Sequence, residues 1–262
     1  MTSQQDTTAR LPEECQQGAP LTTRGLSIVL PAYNEEAVIA TTVAQCAEVL
    51  GRLAPDYEII VVDDGSSDRT GAIADELAAA NSRVKVVHNS PNRGYGGALI
   101  AGFDAVSKEL AFFMDSDGQF DINDIAVLIC ERERGHPVVL GYRHHRQDGF
   151  MRHANAFGWK MLVTLMFGLR VRDVDCAFKL YDSALWRVCG IHSEGAMVNT
   201  EMLVKLSRLG VRFVQVPVHH YPRQHGSATG ANLKVIMRAF RELLKLRSRL
   251  HTWHGELPPE YR

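Results

Sequence analysis

Residues 57–78 read YEIIVVDDGSSDRTGAIADELA: an apolar run that stops at two carboxylates, a short polar turn, and then helical spacing. The run YEIIVV (57–62) has almost no polar interruption, the pattern of a strand in a parallel sheet covered on both faces. The same unit recurs on either side. LSIVL (26–30) leads into PAYNEE and a helical stretch from about Glu35, and VKVVH (84–88) leads into NRGYGG and a helix near Gly97. LAFFM (110–114) leads into DSDGQ and a helix near Asn123, and VVLG (138–141) closes the series. Alternation of this kind predicts a doubly wound α/β sheet. Ligands of such sheets collect beyond the carboxyl ends of the strands, where three of these runs end in polar motifs.

The motif after the fourth strand is the most informative chemically. Alternate residues of a strand point the same way, so Asp115 and Asp117 can face one point. Hard cations such as Mg or Mn take oxygen ligands, usually one or two carboxylates plus substrate phosphate oxygens. Gln119 offers a third oxygen. The bland alternative is a polar turn after a buried strand. After the first strand, Pro31, Tyr33, Asn34 and Glu35 stand where a dinucleotide fold would carry G-x-G-x-x-G, which argues against an NAD-type site. The simplest structural role there is a loop with Asn34 capping the next helix. Of Asp63 and Asp64, one carboxylate suits a base N–H or ribose hydroxyls, while Ser66, Ser67 and Asp68 suit helix capping. NRGYGG (92–97) lacks the G-K-[ST] ending of a P-loop and reads as a close-packed strand-to-helix turn.

Composition bounds the rest. The 262 residues are 45% hydrophobic and 23% charged with a formal net charge of -1, so there is no global attraction to nucleic acid. Cys15, Cys46, Cys130, Cys176 and Cys189 are scattered without a C-x-x-C pair, which argues for a reducing compartment and against a disulfide frame or zinc site. Residues 1–24 read as a disordered polar lead without a signal peptide. No stretch reaches the ~18 apolar residues of a membrane span; the nearest is WKMLVTLMFGL at 159–169.

In the second half AFKLY (177–181) and VRFVQVPVHHY (211–221) read as strands, and 183–189 and 199–209 as helices. Residues 232–250, NLKVIMRAFRELLKLRSRL, form a basic amphipathic helix carrying Lys234, Arg238, Arg241, Lys245, Arg247 and Arg249 against one acid, Glu242. That helix, and the bulky run Trp159, Met161, Leu162, Leu165, Met166 and Phe167 beside Arg152, Lys160 and Arg170, suit either a membrane interface or packing on the sheet.

These motifs in this order resemble the inverting family 2 glycosyltransferases, specifically the dolichyl- and polyprenyl-phosphate sugar synthases, from about Leu26 to Arg241. The resemblance implies a GT-A-type, doubly wound mixed sheet as a single domain over 25–230, with a nucleotide-binding half (25–141) and an acceptor half (142–230). A basic amphipathic helix and polar tail would occupy 231–262. It implies that Pro31, Tyr33, Asn34, Glu35, Asp63 and Asp64 bind the nucleotide and that Asp115, Asp117 and Gln119 hold Mg or Mn on the donor diphosphate. Arg143 and Arg152 look like the phosphate-binding part, and Lys179 in DVDCAFK (173–179) like a further phosphate contact. Arg223, in a loop similar to the family's acceptor loop, would meet the acceptor phosphate; Ala228 stands where that loop usually has serine. The implied activity is transfer of a hexose from GDP-mannose or UDP-glucose to a polyprenyl phosphate at the cytoplasmic membrane face, with peripheral membrane contact and room for a membrane-protein partner. A phosphate acceptor is already a nucleophile; an alcohol acceptor on a soluble transferase would need a base, for which Asp117, Asp173, Asp175 and Glu201 are candidates. A non-catalytic nucleotide-sugar-binding module is the remaining alternative.

Overall fold

The computed structural model describes residues 20–143, 158, 161–222 and 233–261, with backbone only for 233–239. The strands are β1 (Leu26–Ala32), β2 (Tyr57–Asp63), β3 (Val84–His88), β4 (Leu110–Met114), β5 (Val138–Arg143), β6 (Phe178–Asp182) and β7 (Val214–Val218). They form one seven-stranded sheet in the order β3-β2-β1-β4-β6-β5-β7. Every pairing is parallel except the two made by β6, which runs antiparallel to both β4 and β5. All residues of β2, β4 and β6 are buried, as the apolar runs demand of strands with both faces covered.

The covering helices are α1 (Ile39–Leu53), α2 (Thr70–Ala80), α3 (Gly94–Asp104), α4 (Ile125–Glu133), α5 (161–167), α6 (Ser183–Cys189), α7 (Val198–Arg208) and α8 (Leu233–His251). Helix α1 packs on α2, whereas α3 packs on α7. Right-handed crossovers explain the division. The chain steps outward from β1 to β3 with α1 and α2 on one face, then returns past β1 to β4 with α3 on the other. Neighbouring strands β1 and β4 therefore send their connections in opposite directions, and a crevice opens between their carboxyl ends.

Several expectations are corrected at element ends. Helix α1 begins at Ile39, not near Glu35, and no side chain caps it. Asn34 instead adopts a left-handed φ of 56° and turns its Oδ1 to the Ser67 amide at 2.8 Å. Helix α3 starts at Gly94, and the run 211–221 is a strand only over Val214–Val218. Cys130 is disulfide-bonded, against the expectation from cysteine spacing, while Cys46, Cys176 and Cys189 are free thiols. Among the described residues no helix is long and apolar enough to cross a membrane.

Candidate active site

Ser116 decides how the D-S-D motif is presented. Its side chain is buried, and its hydroxyl donates to the Pro31 carbonyl at 2.7 Å. Its own carbonyl accepts from Thr42 Oγ1 at 3.1 Å. With Ser116 pinned inward between β1 and α1, its neighbours Asp115 and Asp117 turn into the crevice. There a cavity of about 180 Å3 is lined by Pro31, Tyr33, Glu35, Asp64, Tyr95, Asp115 and Asp117, among others. Four of the residues expected at the nucleotide and both aspartates of the cation motif thus share one cavity at the β1/β4 switch point.

Asp115 is the least comfortable group in that wall. Its Oδ1 is buried without a hydrogen-bond partner. Burial first, and then the Asp117 charge, push its carboxyl up to about 7, although Tyr95, Arg143 and Lys179 pull the other way. An unsatisfied buried carboxylate oxygen has a large desolvation penalty, and a divalent cation would relieve it. Among the described residues no group of three or more His, Cys, Asp or Glu could hold a metal alone. Two carboxylates and an amide fit a Mg or Mn ion whose remaining ligands come from substrate phosphate and water. Asp117 also closes the turn that follows, accepting from the Gln119 amide at 3.1 Å.

Gln119 joins this loop to the far half of the molecule. Its Nε2 donates to the Tyr221 carbonyl at 2.9 Å, and its own carbonyl accepts from the Tyr221 amide at 2.7 Å. Phe120 and His220 form an isolated antiparallel bridge. His219 is held one residue earlier by Asp124, which accepts from its amide at 2.6 Å.

The nucleotide-side loops are zipped together. The Asn34 amide donates to Ser66 Oγ, the Glu35 amide to Thr70 Oγ1, and the Arg69 amide to Glu36 Oε2 at 2.9 Å. Asp68 accepts from the Thr70 amide at 2.9 Å, the helix-start role expected of it. The acidic pair 63/64 divides its work. Asp64 reaches the cavity and accepts from Asn89 at 2.8 Å and from the Arg93 amide at 2.9 Å. Asp63, expected at the nucleotide, faces away to the Ser66 amide and to His88 Nδ1, each at 3.0 Å. Burial opposes its ionisation, but the bonds from Ser66 and His88 outweigh that and hold its pKa low. Gly71 lets it fit: a Cβ there would come 2.6 Å from Asp63 Oδ2.

Lys179 is displaced from its expected place. It is fully buried on β6, with its Nζ hydrogen-bonded to the Cys176 carbonyl and 5.2 Å from the centre of the Phe113 ring. Burial pushes its pKa down. Its charge stands within electrostatic reach of Asp115, and it is not part of the cavity lining. Arg143, at the end of β5, makes a two-pronged pair with Asp173, Nε–Oδ2 2.7 Å and Nη2–Oδ1 2.9 Å. Burial works against the charge of Arg143, but Asp173 outweighs it and raises the pKa. Two of the candidate bases are thereby occupied: Asp173 by Arg143, and Glu201 by Lys205 Nζ at 2.6 Å and the Ser193 amide at 2.8 Å. Arg152, Arg223, Trp159 and Lys160 lie outside the described residues.

One cavity residue was missed from the sequence. Tyr95 sits in the NRGYGG turn, and its hydroxyl faces Asp115 and Asn199. The turn is close-packed, as read: a Cβ on Gly96 would come 2.5 Å from the Ser193 carbonyl oxygen. The available signal was an aromatic residue among glycines beyond a strand's carboxyl end, where a ligand-facing side chain is expected.

Comparison with known proteins agrees with this geometry. The profile of a family described as "Glycosyl transferase family 2" matches residues 27–189. An undecaprenyl-phosphate 4-deoxy-4-formamido-L-arabinose transferase from Yersinia enterocolitica is 30% identical over 219 residues, covering 80% of this chain and 64% of its own length. The protein of the same name from Edwardsiella ictaluri is 29% identical over 212 residues, with the same coverage. The chain thus spans slightly under two thirds of these relatives. Among solved structures, glucosyl-3-phosphoglycerate synthase from Mycobacterium tuberculosis, in complex with phosphoglyceric acid, superposes with a TM-score of 0.63 at 25% identity, covering 86% of this chain and 80% of its own. The same enzyme has been solved with Mn2+, UDP and its product, at a TM-score of 0.62 and 23% identity, again covering 86% and 80%.

Proposed function

The chain belongs to glycosyl transferase family 2, and we propose that it transfers a hexose from a nucleotide sugar, UDP-glucose or GDP-mannose, to a polyprenyl phosphate. The observation that carries the reading is Asp115 Oδ1, a buried carboxylate oxygen without a hydrogen-bond partner, beside Asp117 in the switch-point cavity. Asp115, Asp117 and Gln119 would hold Mg or Mn, and a solved relative of this fold binds Mn2+ together with UDP. When bound, the cation neutralises charge developing on the departing diphosphate.

The chain's own residues supply the rest. Tyr33, Glu35 and Asp64 line the pocket for the nucleoside, and the zipped loops at 34–36 and 66–70 hold that wall in place. The relatives' names support a lipid-phosphate acceptor. A phosphomonoester, with a second pKa of ~6, needs no base near neutral pH. That suits a site in which Asp173 and Glu201 are already committed to Arg143 and Lys205. Arg143, with Arg152 and Arg223, would hold the acceptor phosphate for in-line attack at the anomeric carbon.

The test pairs donors and acceptors. UDP- and GDP-sugars are screened for binding with Mn2+, then each binder is assayed with polyprenyl phosphate and with small phosphate and alcohol acceptors. Transfer to polyprenyl phosphate that stops in chelator and returns with Mg or Mn is the expected result. Transfer to a soluble alcohol alone would replace this reading with the soluble transferase. Nucleotide-sugar binding without any transfer would favour the regulatory module.

A further inference from the structure

Asp124 stands at the start of α4, where an aspartate ordinarily caps the first turn, yet its side chain makes no capping hydrogen bond. The carboxylate turns instead to the end of β7, 95 residues away in sequence. It accepts from the His219 amide at 2.6 Å, and its two oxygens lie 2.9 and 3.0 Å from His219 Nδ1. Pairing of β7 with β5 ends at Val218, opposite Arg143, so the next three residues need another hold. Asp124 grips His219. Phe120 bridges to His220, with the two rings edge to face at 5.0 Å. Gln119 takes Tyr221 at both ends: its carbonyl accepts from the Tyr221 amide at 2.7 Å, and its Nε2 donates to the Tyr221 carbonyl at 2.9 Å. A carbonyl oxygen only accepts, so the nitrogen of the Gln119 amide must face Tyr221 and its oxygen is turned away.

We propose that Asp124 is a positioning residue for the cation: by holding the end of β7 through His219, it fixes the Tyr221 carbonyl that orients Gln119 as a metal ligand. The inference rests on the reading of Gln119 as a ligand. A neutral amide is the weakest donor of the Asp115, Asp117 and Gln119 set, and its oxygen and nitrogen have nearly the same shape. Without an outside acceptor for Nε2, the amide could present either atom to the ion, and only the oxygen binds it. Partners of this outer kind set the orientation of metal ligands, and their loss typically lowers metal affinity roughly 10- to 100-fold. Asp124 touches neither the ion nor Gln119. It acts through a backbone segment, and its carboxylate is committed to that segment and not to its own helix.

Mn2+ alone is titrated into the full chain, with the free ion read by electron paramagnetic resonance. Asp124→Ala should weaken binding about tenfold, and Gln119→Ala at least as much. Asp124→Asn keeps an oxygen for the His219 amide and should lose less. Gln119→Ala/Asp124→Ala should bind no more weakly than Gln119→Ala, because the ligand that Asp124 positions is already gone. A residue that merely braced the fold would add its loss in full. Circular dichroism checks that each variant is folded; if Asp124→Ala is not, Asp124→Asn takes its place in the same cycle. Asp124→Ala that binds Mn2+ like wild type, or losses that add in the double variant, would overturn the proposal and leave Gln119 a ligand. Gln119→Ala that binds Mn2+ like wild type would overturn the ligand reading itself, and the proposal with it.

Discussion

Ionised Asp115 destabilises this fold when no cation is bound, because burial and the Asp117 charge push its carboxyl up to about 7 from an ordinary 3.8. Between those two pH values the unfolded chain is ionised there while the native one keeps its proton. Stability of the metal-free protein is therefore lost as pH rises from about 4 to about 7. Asparagine mimics the protonated form, so Asp115→Asn should raise the metal-free melting temperature at pH 8, by at most about 4 kcal/mol of stability. The same variant should lose cation binding. Calorimetry with and without Mn2+ checks both halves, and a variant less stable than wild type at pH 8 would contradict the account. In the wild type, protons compete with the cation, so Mn2+ affinity should fall about tenfold per unit below pH 7 and level off above it. A flat profile from pH 5.5 to 8 would remove Asp115 from the ligand set.

At the scale of elements, close approach matters more than composition. Gly96→Ala would drive a Cβ into backbone at 193–194, forcing α3 away from the segment that precedes α7. We expect a loss of about 1–3 kcal/mol in urea unfolding together with weaker nucleotide-sugar binding, since Tyr95 is carried on the same turn. Loss of stability without any binding defect would separate Tyr95 from the site. Strands β3 and β4 and helix α6 coincide with the runs read from the sequence because periodicity and burial agree there. Helix starts were less legible. Asn34 has the side chain of a cap, but its best donor is Ser67, 33 residues away, and no local rule contains that partner. The burial of Lys179 was hidden for a related reason. Its motif suggests a phosphate ligand, but its place on β6, opposite Phe113 of β4, puts it inside the sheet. The position of Asp115, Asp117 and Asp64 at the cavity was legible because a strand's end dictates where its last side chains point. Tyr95 was not, because its turn was read for backbone packing alone.

For the molecule as a whole, the edge opposite the cavity is held by Glu58. It accepts from Ser27 Oγ at 2.5 Å, Lys85 Nζ at 2.6 Å, and both the amide and hydroxyl of Ser107 at 2.8 Å. Burial alone would raise its pKa, but these donors outweigh it and lower it from 4.5 to about 2. Its contribution is complete above pH 4.5 and is lost as pH falls toward 2, which predicts about 2–3 kcal/mol less stability in acid. Glu58→Gln should flatten that part of the pH–stability curve, as measured by denaturant midpoints between pH 2 and 6.

Reversal of β6 has a different consequence. Because it runs against its neighbours, the chain that leaves β5 at Arg143 re-enters the sheet from the same edge, and the Arg143–Asp173 pair fastens the two ends of the excursion together. Arg143 and Asp173 thus form a fixed socket into which the sequence segment 144–172 is spliced. Changing the length of a closed loop carries only a small entropic penalty, about 0.6 kcal/mol per doubling. Exchanging this segment for that of a relative, with the core residues Val163, Leu169 and Val171 kept, should leave the melting temperature and nucleotide-sugar binding near wild type while changing which acceptor is used. A lineage could in this way diversify its acceptors by replacing one segment, with the sheet and the donor pocket left untouched.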